Sequence, residues 1–96
     1  MANVRSGNSF YVDTAGELTL LATNVLCVIV TATTANAIVN FQDNGTSVNK
    51  LNLRVAEAGS TQVFYFDAAP LSFSGGIKLS TVTNAIVTII LDSKGN

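Results

Sequence analysis

Apolar and polar residues alternate along this chain in short runs. Turn-forming residues interrupt the runs at spacings of about 8–12 residues, the rhythm of an antiparallel sandwich or barrel. The cleanest period-two run is residues 50–55, where Leu51, Leu53 and Val55 share one face and Lys50, Asn52 and Arg54 the other. Residues 9–13 predict a short aromatic and β-branched strand, and Thr14-Ala15-Gly16 a turn. Residues 17–23 predict a half-buried strand alternating at Leu18 and Leu20, with Asn24 as a break after it. Residues 25–34 open with an unbroken apolar run, Val-Leu-Cys-Val-Ile-Val, which predicts a strand buried on both faces. A helix is rejected there, because β-branched side chains lose rotamer freedom in helices and Thr31, Thr33 and Thr34 continue the bias. Residues 34–36 turn into a strand over 37–43, in which Val39 and Phe41 alternate with Ile38, Asn40 and Gln42. Asp43-Asn44-Gly45-Thr46 carries a tight-turn signal, since Asn and Gly tolerate positive φ. Residues 57–60 read as a loop. Residues 62–67 form an aromatic strand with Phe64 and Phe66 on one face and Val63 and Tyr65 on the other.

Residues 68–91 hold the only proline and the only Gly-Gly pair. Pro70 cannot donate to a ladder and predicts a break, followed by a short edge strand at Leu71 and Phe73. Gly75-Gly76 permits a bulge or sharp bend, Ile77 and Leu79 resume the alternation, and Thr83-Asn84 turns. In the last strand Ala85, Val87, Ile89 and Leu91 share one face, and Ile86, Thr88 and Ile90 the other. About eight short strands result, with no helical period of useful length. The expected architecture is all-β: a single antiparallel β-sandwich, jelly-roll or Greek-key-like, over residues 9–96, preceded by an N-terminal arm at residues 1–8.

Composition changes this picture in one respect. The apolar fraction, 48%, is ordinary, but only 11% of residues are charged, less than half the usual ~25%. Thr, Ser and Asn fill the gap. Either this is a neutral, Thr/Asn-rich β-domain, or it is a subunit with much of its surface covered by partners. Apolar residues on both faces of several strands favour the second. Val63, Tyr65, Ile86 and Ile90 are the interface candidates; the alternative is that they line the inside of a second sheet. Net charge is −1 and the basic residues Arg5, Lys50, Arg54, Lys78 and Lys94 are scattered, so no basic patch points to nucleic acid. No run reaches the ~18–20 apolar residues of a membrane helix, and the first residues lack the apolar stretch of a signal peptide. A protein used without secretion, binding neither nucleic acid nor membrane, is the expectation.

Candidate chemistry is sparse. The chain has no histidine, which removes the commonest general base and metal ligand at neutral pH, and with it Ser-His and Cys-His nucleophiles within one chain. The single cysteine, Cys27, sits in an apolar run where a thiol acts as a small hydrophobe. Asp13, Glu17, Asp43, Glu57, Asp67 and Asp92 fall at or near strand ends and turns, where carboxylates ordinarily accept from local backbone donors. Asp43-Asn44-Gly45 resembles part of a calcium loop, but the further ligand positions are not filled. Asn44-Gly45-Thr46 matches a glycosylation pattern, which is idle without secretion. Gly75-Gly76 opens no helix that could cradle a phosphate, and Phe64 and Tyr65 lack the basic neighbours of a base-stacking site. No catalytic residue, cofactor or metal is expected, and the chain reads as a non-enzyme.

The string from Phe64 to Ala85, Phe-Tyr-Phe-Asp-Ala-Ala-Pro-Leu-Ser-Phe-Ser-Gly-Gly-Ile-Lys-Leu-Ser-Thr-Val-Thr-Asn-Ala, resembles small virion proteins of tailed bacteriophages, marine and cyanobacterial ones in particular, and Val39-Asn40-Phe41-Gln42-Asp43 fits the same likeness. It covers roughly the last third of the chain, is one of texture, and carries no site residues across. The resemblance implies a β-sandwich structural subunit of a virion, made in the host cytoplasm. The favoured form is a capsid decoration or cement protein that binds the major capsid protein as a homo-oligomer, with a trimer preferred. A tail, neck or fibre component, or a receptor- or carbohydrate-binding β-sandwich module, is the alternative.

Overall fold

The computed structural model describes residues 4–6, 9–18, 23–45, 48–66 and 69–92. Ten strands follow in order: β1 (Val4–Ser6), β2 (Ser9–Val12), β3 (Gly16–Glu17), β4 (Thr23–Ala32), β5 (Ala37–Asp43), β6 (Asn49–Val55), β7 (Thr61–Tyr65), β8 (Leu71–Phe73), β9 (Ile77–Thr83) and β10 (Ala85–Leu91). They form two antiparallel sheets. The first runs β1-β2-β10-β4-β7, with β8 also on β4; the second runs β3-β9-β5-β6. Both β7 and β8 lie on the same side of β4, end to end: β7 covers Cys27 to Thr31 and β8 covers Thr23 to Val25.

The fold is a β-sandwich, as the strand rhythm predicts. With β1 and β8 set aside as additions, strands first, eighth, third and sixth make one sheet, and second, seventh, fourth and fifth the other. That is the order of a jelly roll, an architecture of eight strands in two sheets. Among the described residues the β1–β2 and β5–β6 hairpins join paired neighbours within a sheet and the β7-to-β8 connection stays along β4 in the first sheet; the other connections pass between the sheets. Two of those passages are tight corners with asparagine at positive φ, Asn36 (62°) after β4 and Asn84 (57°) between β9 and β10. Asparagine tolerates this region where branched side chains do not. The corners are stitched together by Thr33 N–H to Asn84 O (2.8 Å) and Asn84 Nδ2 to Ala35 O (3.2 Å).

The core forms where alternate residues of both sheets meet. Phe10, Val12, Val25, Val28, Val30, Val87, Ile89 and Leu91 come from the first sheet, and Val39, Phe41, Leu53, Val55, Ile77 and Leu79 from the second. Phe41 of β5 and Phe73 of β8 bridge the two, their ring centroids 6.2 Å apart at 44°.

Four expectations change. Val4–Ser6, within the segment read as an arm, is an edge strand paired with β2. Residues 17–23 are not one strand: Glu17 ends β3 in the second sheet and Thr23 begins β4 in the first, while Leu20 lies outside the described residues. Asn24 is not a break but a member of β4, opposite Ser72, whose hydroxyl donates to its Oδ1 at 3.0 Å. Finally, β4 reaches the core on one face alone; of its outward residues only Cys27 is buried. Val25, Val28, Val30 and Ala32 reach the core, whereas Leu26, Ile29 and Thr31 are half-buried. A sandwich covers one side of each sheet, so a central strand keeps an outer face whatever its composition.

Candidate interaction surface

The outer faces of the two sheets differ in chemistry. Over the second sheet the outward positions include Glu17, Lys50, Asn52, Arg54 and Lys78, interspersed with Ile38, Asn40, Gln42, Thr81 and Thr83. This is an ordinary charged, solvated surface. Over the first sheet, the strand registers assemble three rows without a charge. Ser9, Ile90, Cys27 and Tyr65 lie side by side across β2, β10, β4 and β7; Tyr11, Thr88, Ile29 and Val63 form the next row; Ile86, Thr31 and Thr61 the third. The Thr31 and Thr61 hydroxyls hydrogen-bond to each other at 2.9 Å, which occupies polar groups of that row internally.

Val63, Tyr65, Ile86 and Ile90 therefore all stand on one surface, and none lines the sandwich interior. Tyr65 is 71% exposed and Val63 40%, whereas Ile86 and Ile90 are half-buried by their neighbours. The structure adds Tyr11 and Ile29, which sequence reasoning missed. Tyr11 was legible as the residue between inward Phe10 and Val12. Ile29 was hidden by a β-bulge: the register steps from Ile90 opposite Cys27 to Leu91 opposite Val25, so Leu26 is an extra residue and the simple alternation of β4 is lost. Strands spaced about 4.8 Å apart, rising about 3.3 Å per residue, make this four-strand, three-row surface roughly 19 Å by 17 Å. Its footprint of roughly 320 Å² falls within the ~300–600 Å² typical of the largest apolar patch on a monomer.

The carboxylate best placed for chemistry serves the fold instead. Asp43, at the end of β5, is 3% exposed. Its Oδ1 accepts from Gly45 N (2.9 Å) and Gly75 N (3.0 Å), and its Oδ2 from Ser74 N (2.9 Å) and Ser74 Oγ (2.8 Å). The Ser74 hydroxyl, with the three backbone donors, holds its pKa below the ordinary carboxylate value against the opposing effect of burial. One side chain thus ties the β5–β6 turn to the turn that carries the chain from β8 to β9. With its lone pairs directed at protein donors, Asp43 is not available to a cation, and no cluster of metal-ligating side chains occurs among the described residues.

A shallow groove of about 280 Å³ opens where edge strands β6 and β7 part, lined by Arg54, Glu57, Gln62 and Phe64 among others. No family model, curated protein or solved structure matches the chain.

Proposed function

We propose that this chain is a non-enzymatic assembly subunit: a decoration or cement-like protein of a tailed-phage head that self-associates and seats on the major capsid protein. The observation that carries the reading is the uncharged outer face of the first sheet, set against a charged outer face on the second. A face of Ile, Val, Tyr and Thr gains by leaving water and forfeits no ion solvation in doing so. Burying about 300 Å² of apolar surface at about 25 cal/mol per Å² supplies roughly 7 kcal/mol. That is comparable to the ~4–15 kcal/mol cost of association, so one such contact is marginal and a lattice of repeated contacts is firm. Jelly rolls also occur in viral capsid domains, which supports the reading by analogy of fold.

The test is co-sedimentation of the purified protein with phage heads that lack their decoration protein. Wild type is expected to pellet with heads, and Ile86→Lys, which places a charge in the third row of the face, to remain in the supernatant while folding normally. A wild type that stays monomeric at high concentration and ignores heads would overturn the proposal.

A second reading, a carbohydrate- or receptor-binding module, draws on a separate observation: Tyr65 and Tyr11 are exposed aromatics on the same face, and lectins too use jelly rolls. A glycan-array signal lost in Tyr65→Ala, without head binding, would select it.

A further inference from the structure

Each sheet ends in edge strands, and most of them here are blunted. β6 carries Lys50 and Arg54, β3 is two residues long and includes Glu17, β1 is three residues long and includes Arg5, and β8 is three residues long and follows Pro70. Shortness, charge and proline are the devices that keep edges from pairing. β7 has none of them. It is five residues, Thr-Gln-Val-Phe-Tyr, with no charge, and its outer edge is paired by no strand among the described residues.

Two hydrogen bonds set the phase of that edge. Phe66 N–H donates to Leu26 O and Ala32 N–H donates to Ser60 O. Even-numbered residues from 60 to 66 therefore direct their backbone groups toward β4. In a pleated strand the odd-numbered ones, Thr61, Val63 and Tyr65, then direct both N–H and C=O outward. The same three residues hold their side chains on the uncharged outer face. The free backbone groups are thus centred on Val63 and symmetric about it.

We propose that β7 pairs antiparallel with β7 of a second copy of this chain, about a two-fold axis at Val63. Val63 lies opposite the partner copy's equivalent residue as a doubly hydrogen-bonded pair. Thr61 lies opposite the position of Tyr65 in the other copy, and Tyr65 opposite that of Thr61, so every outward N–H of β7 meets an outward C=O. A two-fold contact of this kind is self-complementary and needs no opposite charge, which suits an edge that has none. It also places the two uncharged faces on the same side of one continuous sheet, doubling the surface available to another protein. The inference concerns the backbone edge and holds whether or not that surface serves a phage head.

Val63→Pro tests it. The residue's N–H points away from β4, so proline removes no bond within the monomer but deletes the central intermolecular pair. Sedimentation velocity is expected to give a concentration-dependent dimer for wild type. Val63→Pro, with an unchanged circular dichroism spectrum, should dimerise at least about tenfold more weakly. Ile86→Lys, two strands away, should dimerise as wild type does, which separates this edge from head binding through the face. Hydrogen exchange on wild type provides a readout without mutation: amides of Thr61, Val63 and Tyr65 should gain protection as concentration rises. A wild type that is monomeric or trimeric, or dimerisation without protection at those three amides, overturns the proposal.

Discussion

Gly75 is the position where one added methyl group should cost most. A Cβ built there would lie 2.7 Å from Asp43 Oδ1 and closer still to the Cα and N of Gly45, against an ordinary contact of 3.4–4 Å. The obstacle is backbone on one side and a fixed carboxylate on the other, neither of which can swing aside as a flexible side chain would. Relieving the clash to an ordinary contact requires the β5–β6 turn to retreat by about 1 Å, and close-packed interiors transmit such a shift rather than absorb it. That movement stretches the 2.9–3.0 Å bonds from Gly45 N and Gly75 N to Asp43 Oδ1. Overpacking of this severity costs about 2–3 kcal/mol, and for a chain of this size each kcal/mol lowers Tm by about 4–8 °C. Gly75→Ala is therefore expected to melt roughly 10–20 °C below wild type. The assay is thermal circular dichroism at fixed protein concentration. A Tm within about 3 °C of wild type, the effect of an ordinary surface change, would refute the claim that the two turns are in obligatory contact.

Two further outcomes follow from the same structure. Because the carboxyl of Asp43 has a folded pKa below its unfolded value near 3.8, its stabilisation is complete above that value and is lost as pH falls through the lowered folded pKa. Wild type should thus hold its Tm down to the ordinary carboxylate range and lose it below, while Asp43→Asn should be less stable at neutral pH and show a flatter acid limb in pH-dependent melts. Phe41 and Phe73 are both fully buried, so Phe41→Ala should cost about 3–5 kcal/mol, a large part of a typical 5–15 kcal/mol total, read as a fall in the urea midpoint; a loss under about 1 kcal/mol would contradict the inter-sheet role of the ring pair.

Much of this protein follows from local pattern. Period-two alternation marked residues 37–43, 50–55 and 85–91 as strands and assigned their faces correctly, because side-chain direction in a strand depends only on parity. Asparagine and glycine marked the corners, because positive φ is a property of the residue. Proline and brevity marked β8 as an edge.

What the sequence could not determine is what each strand lies against. Nothing local distinguishes β9, in the second sheet, from β10, one residue later at the centre of the first; only inter-strand pairing decides it. The bulge at Leu26 belongs to the partnership of β4 with β10, and a single sequence read for alternation passes over it. The carboxylate of Asp43 joins turns 31 residues apart, a distance at which no spacing rule operates. The assembly of the uncharged outer face is of the same kind. Sequence alone marked Val63, Tyr65, Ile86 and Ile90 as apolar residues opposite the core face of their strands. Only the tertiary pairing of β7, β4, β10 and β2 sets them on one uncharged surface, because adjacency across a sheet is fixed by register between segments distant in the chain.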